Sequence, residues 1–325
     1  MDISSKEYVK IIEPFVHEIH TDVMGNIIAH KHGDGKSIML IAHHDVVCLM
    51  ITHIDNNGFL YAKPAGGIEA SILPARKIVI KHNEKDIIGI IGRKPVHLVR
   101  ETLNGKVTYD SLWIDIGAKS QSEAMTMVDI GDYAYFCPEF VELPNGIIAG
   151  AYFDDNIGLR VLQQVAERIV ADQLSWDIFF VASNHEEIGM RGARVAAHVI
   201  NPDVCIVIDV THATDYPTMN PISDGNIRLG EGCVLAKSPN VHSDLIKALK
   251  DTATRHGLQF QIEANPYPTG TDANVIQLSG DGVKTAVLSI PCRYMHTPYE
   301  VCSKKDIEST IMLLTEYLKQ TAGNE

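Results

Sequence analysis

The sequence predicts an α/β fold, a mainly parallel-stranded sheet flanked by helices, with a small β-rich domain inserted into it. Three observations support this prediction. The chain of 325 residues is longer than a single hydrophobic core usually requires. Helix-like and strand-like patterns alternate over its second half, and alternation of that kind is typical of parallel sheets. Between about Asn56 and Pro144 the pattern changes to short β-like runs that are punctuated by glycine.

The elements follow in chain order. Residues 4 to 19 have the apolar spacing of a helix, and residues 37–42 form an apolar run that predicts a buried strand. Runs at 77–82 and 87–92 predict strands of the insertion. Later patterns predict strands at 176–183, 204–208 and 284–290, and helices near 156–172, 188–199, 241–256 and 303–321. The predicted domains are therefore 1–55 with 148–325, discontinuous in sequence, and the insertion 56–147.

Composition excludes several classes of function. The 28 basic and 41 acidic residues give a net charge of −13, which argues against nucleic-acid binding. No apolar run approaches the ~18 residues of a membrane span, and the N-terminus has no secretory signal pattern, so a cytoplasmic location is expected. The six cysteines are dispersed without a C-x-x-C pair, which predicts neither disulfides nor a zinc ribbon.

Polar side chains recur where the predicted strands end. Because parallel strands present their carboxyl ends at one edge, these side chains are expected to meet in one crevice. Imidazoles and carboxylates without a thiolate suit Zn²⁺, Co²⁺ or Mn²⁺, and the set is large enough for two ions if one carboxylate bridges. The residues are His43, Asp45, Asp154, Asp155, Glu186, Glu187, Asp209, Thr211, His212 and His296.

Each of these residues also has a local explanation. Glu186 and Glu187 fit the first turn of a helix, and Asp154-Asp155-Asn156 fits a helix N-cap. Asp209 fits a turn. The recurrence at one predicted edge favours a metal site, because independent local explanations do not anticipate it.

Ordered sequence blocks along nearly the whole chain resemble the M42 family of dinuclear metallo-aminopeptidases. The blocks are Ala42-His43-His44-Asp45, Phe153-Asp154-Asp155-Asn156-Ile157-Gly158, Glu186-Glu187-Ile188-Gly189-Met190-Arg191-Gly192-Ala193, Asp209-Val210-Thr211-His212-Ala213, Gly270-Thr271-Asp272-Ala273 and Arg293-Tyr294-Met295-His296-Thr297-Pro298. The resemblance implies a zinc-peptidase-like sheet and homo-oligomers built from dimers, commonly dodecamers. It also implies that the insertion is a β-barrel-like lid or assembly domain.

The resemblance also assigns roles to residues. Asp154 is expected to bridge two metal ions, with His43 and Asp209 completing one site and Glu187 and His296 completing the other. Glu186 is the expected general base, and the carboxylate of Asp45 is expected to orient His43. A cis peptide is expected between Asp154 and Asp155.

The chain departs from the family pattern at four positions. The block that usually reads His-Met-Asp-Glu has His44 for the methionine and Val46 for the glutamate. Asn156 replaces a frequent arginine and His185 a frequent glutamine. These changes affect the expected substrate preference and fine geometry more than the expected chemistry.

The predicted function is a cytosolic aminopeptidase that removes N-terminal residues from short peptides. It would use two divalent ions, Zn²⁺ or else Co²⁺ or Mn²⁺, and a water that Glu186 deprotonates. Two alternatives stay open. One is a metal-dependent deacylase or amidohydrolase on the same site, and the other is a catalytically silent, metal-binding assembly protein.

Overall fold

The computed structural model describes residues 5–98 and 106–320. The chain forms two compact units. The large unit comprises Met1–Asp45, Phe140–Met295 and Tyr299–Glu325, and the small unit comprises Val46–Glu139 with His296–Pro298. The lid or assembly role of the insertion stays a prediction.

The large unit is built on an eight-stranded sheet. Its strands, numbered along the whole chain, are β1 (Glu18–Thr21), β2 (Ile27–Lys31), β3 (Ser37–His43), β12 (Asp177–Ser183), β13 (Val204–His212), β14 (Cys233–Lys237), β15 (Phe260–Ala264) and β16 (Lys284–Cys292). They lie in the order β1-β2-β12-β3-β13-β16-β14-β15. Four of the seven pairings are parallel and three are antiparallel, so the sheet is mixed rather than mainly parallel.

The four central strands are parallel to one another and buried on both faces. Six of the seven residues of β3 are buried, and eight of the nine residues of β13. Near-continuous aliphatic runs of this kind are typical of parallel strands that helices cover on both sides. The helices of the chain are α1 (Ser5–Ile12), α2 (Gln121–Ala124), α3 (Phe153–Arg168), α4 (Arg191–Ile200), α5 (Ser243–Arg255), α6 (Ala273–Ile276) and α7 (Lys304–Leu318).

The prediction of one helix over residues 4 to 19 is wrong. The helix ends at Ile12, a 3-10 turn covers Glu13–Phe15, and strand β1 begins at Glu18. Pro14 lies in that turn, and a proline has no N–H with which to continue the helical ladder. The terminal helix is confirmed as far as Leu318, and residue 321 of the predicted range lies outside the described residues.

A second, three-stranded sheet of the large unit joins β10 (Phe140–Leu143), β11 (Ile147–Gly150) and β17 (Glu300–Ser303). Strand β11 pairs with both neighbours in antiparallel fashion. Sequence reasoning did not anticipate this sheet, because each strand has only four residues. It places Glu300 opposite Gly150, just before the segment that leads into α3.

The small unit contains a closed six-stranded barrel, which confirms the predicted β-rich insertion. Its strands are β4 (Cys48–Ile54), β5 (Leu60–Ala65), β6 (Lys77–His82), β7 (Lys85–Arg93), β8 (Leu112–Asp115) and β9 (Tyr133–Phe136), in the order β4-β5-β8-β7-β6-β9. Ile78 and Ile80 are buried while Lys77 and Lys81 are exposed, the alternation expected of a barrel wall. Gly92 is required because a Cβ there would lie 2.3 Å from Nε1 of Trp113.

None of the helices formed by residues 5–98 and 106–320 is long and apolar enough to cross a membrane.

Candidate active site

The predicted polar edge lies where the central strands of the large sheet end. Strands β3 and β12 run in parallel register, so that His43 pairs with Ser183. Strand β13 lies on the other side of β3. It continues to His212 instead of ending at 208, because its pairing with β16 extends that far, and Asp209 therefore lies within the strand.

His43 lies at the centre of a buried polar cluster. Its side chain is 3% exposed, and its Nε2 is 3.0 Å from Oδ1 of Asp154 and 4.0 Å from Oδ1 of Asp209. Potential ligand atoms of His43, Asp154 and Glu187 lie within 4.8 Å of one another. A second group of the same size joins His43, Asp155 and Asp209. One imidazole is thus shared by two sets of carboxylates.

Asp154 and Asp155 begin α3 in an unusual backbone arrangement. The peptide bond between them is cis, and the preceding Tyr152 is left-handed, with φ of 65°. The main-chain N–H of Asp154 donates to Oε2 of Glu300, which is 2% exposed, over 3.0 Å. The short sheet of β10, β11 and β17 therefore contributes an anchor for the predicted bridging residue.

The Asp155 carboxylate faces back into the cluster. It accepts the main-chain N–H of Gly158 at 3.0 Å and that of His43 at 3.3 Å. A Cβ on residue 158 would lie 2.4 Å from both carboxylate oxygens, so a glycine is needed there. Sequence reasoning gave Asp155 no ligand role, but the structure places it in the group with Asp209.

Asp45 connects His43 to the glutamate pair. Nδ1 of His43 donates to the main-chain oxygen of Asp45 over 2.8 Å, whereas the Asp45 carboxylate is 3.9 Å away. That carboxylate instead accepts the main-chain N–H groups of Glu186, at 2.9 Å, and Glu187, at 3.2 Å. The expected orientation of His43 by Asp45 thus comes from the backbone, and the side chain positions the two glutamates.

The loop that carries the glutamate pair is held from the neighbouring edge of the sheet. Oδ1 of Asn26 accepts the N–H of Asn184 at 2.9 Å, and its Nδ2 donates to the main-chain oxygen of Gly192 at 3.0 Å. Helix α4 begins only at Arg191, so the glutamates lie in a loop and not in the first turn of a helix. The helix-start explanation of the pair is therefore wrong.

Burial and mutual repulsion disfavour the charged forms of the carboxylates in this cluster. Burial and neighbouring carboxylates raise the pKa of Asp155 and Asp209 well above the ordinary aspartate value. Burial lowers the pKa of His43, but its hydrogen bond to Asp154 and the surrounding negative charges outweigh this and raise it. Burial also raises the pKa of Glu186 to about 9. Several buried carboxylates around one imidazole form an environment that divalent cations would stabilise.

Asp272 adds another buried carboxylate next to this cluster. It is 2% exposed, and its Oδ2 accepts the hydroxyl of Ser183 at 2.6 Å. Burial raises its pKa to about 6. Its Oδ1 is buried and has no hydrogen-bond partner within the described part of the chain. The Thr271-Asp272-Ala273 block was the sequence signal for this residue, whereas nothing in the sequence pointed to Glu300.

The donor set fits divalent metals. It offers imidazole nitrogen and carboxylate oxygen without thiolate, which suits Zn²⁺, Co²⁺ or Mn²⁺. The cluster of ligand atoms and the excess of buried carboxylates are the structural features that support this fit.

His296, His212 and Thr211 were also predicted at this edge, but they are not part of the two ligand groups around His43. His296 belongs to the small unit, is left-handed with φ of 62°, and its Nδ1 is 2.8 Å from the oxygen of Gly67. A proton on that Nδ1 makes Nε2 the nitrogen suited to a metal. His212 is exposed at the end of β13, and the hydroxyl of Thr211 donates to Glu263 at 2.8 Å.

Three of the four residues that depart from the family pattern, His44, Asn156 and His185, lie near the cluster. The Nε2 of His44 lies 3.0 Å from the main-chain oxygen of Gly25, and burial lowers the pKa of its imidazole. Asn156 is 3% exposed within α3. The main chain of His185 is left-handed, with φ of 63°, in the loop before the glutamate pair.

Comparison with known proteins adds independent findings. A model of the M42 glutamyl aminopeptidase family matches residues 25–313. Lysyl aminopeptidase of Pyrococcus furiosus is 39% identical over 317 residues, which cover 96% of this chain and 90% of that protein.

Two solved structures share the fold over nearly the full length. An aminopeptidase from the archaeon Desulfurococcus kamchatkensis has a TM-score of 0.91 and 30% identity, and the match covers 98% of this chain and 89% of that one. The TET1 peptidase of Pyrococcus horikoshii, described as assembling into a tetrahedron or a large octahedral shell, has a TM-score of 0.87 and 28% identity. That match covers 97% of this chain and 93% of the other.

Proposed function

Because the chain belongs to the M42 glutamyl aminopeptidase family and is thus a peptidase that removes N-terminal residues, we propose that it works with two divalent metal ions and with Glu186 as the general base. The observation that carries the proposal is the group of His43, Asp154 and the half-buried Glu187 beside the fully buried group of His43, Asp155 and Asp209.

The residues that would hold the ions are His43, Asp154, Glu187, Asp209 and His296, with Asp154 as the bridge. When bound, a pair of such ions lowers the pKa of a water and polarises the scissile carbonyl. Zn²⁺ is the metal we expect, with Co²⁺ and Mn²⁺ as functional substitutes.

Glu186 is the residue that we propose moves the proton. Asp45 fixes its main chain through a 2.9 Å hydrogen bond, in the loop that also carries the ligand Glu187. Nearby cations would lower the raised pKa of Glu186 again, because positive charge favours the ionised carboxylate. In this proposal the Glu186 carboxylate then takes the proton of the attacking water and returns it to the leaving amine. Neighbouring carboxylates such as Asp272 favour a positively charged substrate amine at the same site.

Replacement of Glu186 by Gln tests the base. We expect kcat on an aminoacyl-nitroanilide to fall by about 10²–10⁴-fold, because general-base catalysis of this kind contributes that much. Metal content, measured by mass spectrometry of the purified protein, should stay at the wild-type value. Glu231→Gln, an exposed glutamate 57% accessible, is the matched control. Undiminished turnover by Glu186→Gln with metals in place would show that another group is the base.

A blocked substrate separates peptidase from deacylase. An aminopeptidase requires the free N-terminal amine, so the N-acetylated nitroanilide should not be cleaved. Faster cleavage of the acetylated compound than of the free amine would favour the metal-dependent deacylase instead. Both compounds should be measured with the same metal-loaded protein.

Assembly into homo-oligomers is the remaining part of the proposal. It is supported by the TET1 peptidase of Pyrococcus horikoshii, which shares the fold over 97% of this chain. We propose a dodecamer built from dimers, with the inserted barrel serving as a lid or assembly domain.

A further inference from the structure

A second group of metal-binding side chains lies at the outer edge of the large sheet. It consists of Glu18, His30 and His32, whose potential ligand atoms all lie within 4.8 Å of one another. None of these residues belongs to the active-site cluster, and the proposed peptidase reaction does not use them. We infer that this cluster is a binding site for a further divalent transition-metal ion of the zinc class.

The strand pairing brings the three residues close together. Strand β1 is the edge strand of the sheet and pairs with β2 so that Glu18 lies directly opposite His30. His32 follows directly after the last residue of β2, Lys31, and lies close to both of the other side chains. The two imidazole rings are 4.3 Å apart between centroids, and Nε2 of His32 is 3.4 Å from Oε1 of Glu18.

The surroundings orient His30 as a ligand. Its Nε2 donates to Oδ1 of Asp177 over 2.7 Å, and its ring stacks on Phe179 with centroids 4.0 Å apart. The same carboxylate oxygen accepts the N–H of Gly33 at 3.1 Å. A carboxylate on one ring nitrogen fixes the tautomer and makes the other nitrogen, Nδ1, the basic one. This arrangement is the usual support of a metal-bound histidine.

His32 is held from the other side. Its main-chain N–H donates to Nδ1 of His17 over 2.9 Å, and the two rings stack with centroids 5.1 Å apart and an angle of 11° between their planes. The His32 and Glu18 side chains are 51% and 68% exposed, so an ion reaches them directly from solvent. Glu18 and His17 also line a surface groove of about 330 Å³.

The ligand types define the ion. Two imidazoles and one carboxylate are the three-ligand set of zinc sites that keep one position open for water or another molecule. Such a set binds ions of the zinc class more strongly than Mg²⁺ or Ca²⁺, which prefer oxygen. A bound ion would join β1 to β2 across the strand pair and so fasten the edge of the sheet.

The test is a zinc titration of the full-length protein whose active site has first been saturated with Zn²⁺ and freed of excess by desalting. Isothermal titration calorimetry at pH 7.5 should show one further equivalent in the wild type. In His32→Ala and Glu18→Gln that equivalent should weaken by at least about tenfold, since loss even of a ligand's outer partner costs that much. Both side chains are exposed, so the variants should fold.

His256→Ala is the matched control. His256 also lies 3.4 Å from a glutamate, Glu316, but that pair joins no third ligand among the described residues. Zinc binding by the His256→Ala variant should equal that of the wild type. Crystals soaked in Zn²⁺ should give an anomalous peak beside His30 and His32. Absence of the extra equivalent in the wild type, or equal binding by His32→Ala, would overturn the inference whatever the peptidase activity proves to be.

Discussion

Asp45 contacts both His43, a proposed metal ligand, and the loop that carries the proposed base Glu186. Its main-chain oxygen holds the ring of His43, and its carboxylate holds the main chains of Glu186 and Glu187. Since charge-assisted hydrogen bonds to backbone N–H groups are strong, the two glutamates are held at a fixed distance from the imidazole. The position of the base therefore depends on the side chain of Asp45 more than the position of His43 does.

Asp45→Asn should separate these two tasks. The asparagine keeps the main-chain oxygen for His43 but offers one acceptor and one donor where two N–H groups point at it. We expect kcat to fall by about 10–100-fold, as for other outer partners of metal sites. Metal affinity should change much less. Kinetic assays and metal titration of Asp45→Asn and the exposed control Asp244→Asn measure both, and an equal loss in both quantities would contradict this division.

The clustering of His43, Asp154, Glu187 and Asp209 could be predicted because their sequence blocks lie where the apolar strand patterns end. The partners of those residues were harder to predict. Asp45 uses its carbonyl, 2.8 Å from Nδ1 of His43, and not its carboxylate, 3.9 Å away, and the sequence does not encode that choice in any local pattern. Glu300 bonds Asp154 from a strand 146 residues away, and such a distant contact leaves no local pattern in the sequence.

Arg293 and Asp215 connect the segments that follow two neighbouring parallel strands. The guanidinium of Arg293 donates from Nε to Oδ1 over 2.6 Å and from Nη2 to Oδ2 over 2.7 Å. Burial opposes the charge of Asp215, but the bonds from Arg293 and from the N–H of Leu229 outweigh it and lower its pKa. This pair fixes the chain just beyond strands β13 and β16.

Asp215→Asn should destabilise the protein in a pH-dependent way. The expected loss at pH 7 is about 1.5–3 kcal/mol, the worth of a hydrogen bond to a charged group. Because the folded pKa is lowered, the wild-type advantage is complete above the unfolded value of about 3.9 and is lost as the pH falls through the folded pKa. Urea unfolding should therefore show the same difference at pH 7 and pH 5 and a smaller one at pH 3.5.

The exposed pair Lys247–Asp251 provides the control for that measurement. Its atoms are 2.6 Å apart, but its side chains are 74% and 50% accessible. Asp251→Asn should change the free energy of unfolding much less than Asp215→Asn does, because exposed helical ion pairs contribute little. Equal effects of the two substitutions would mean that the Arg293 pair has no special stabilising role.

Elements with long apolar runs were predicted well, and short or interrupted ones were not. Strands β3 and β12 match their predicted ranges almost residue for residue. The edge strand β1 was hidden within a helical apolar spacing that Pro14 interrupts. The polar residue Asp209 resembled a strand end, although pairing with β16 continues past it.

Removal of metal ions should lower both the activity and the thermal stability of the protein. Without cations, the buried carboxylates of Asp154, Asp155 and Asp209 repel one another. An ion that binds only the folded protein stabilises it by about 2.7 kcal/mol when the free metal concentration is one hundred times the dissociation constant. Treatment with a chelator should abolish peptidase activity and lower Tm, and added Zn²⁺ should restore both. In His43→Ala the chelator should shift Tm much less. Full activity after verified metal removal would contradict the proposed function.

The proposed assembly has a definite mass. Twelve chains of 35.8 kDa make about 430 kDa, which light scattering after size-exclusion chromatography measures directly. We expect that mass, or the mass of a dimer as its building block at low protein concentration. A single species of one chain's mass at high concentration would contradict the homo-oligomer.

The position of β3 in the sheet has a consequence for synthesis on the ribosome. Both of its neighbours, β12 and β13, begin more than 130 residues after β3 ends. At about 5–20 residues per second, the strand waits roughly 7–27 s for its first partner while the barrel sequence is translated. During that interval its apolar residues have no sheet to join, so the nascent chain should depend on holding chaperones more than its final stability would indicate.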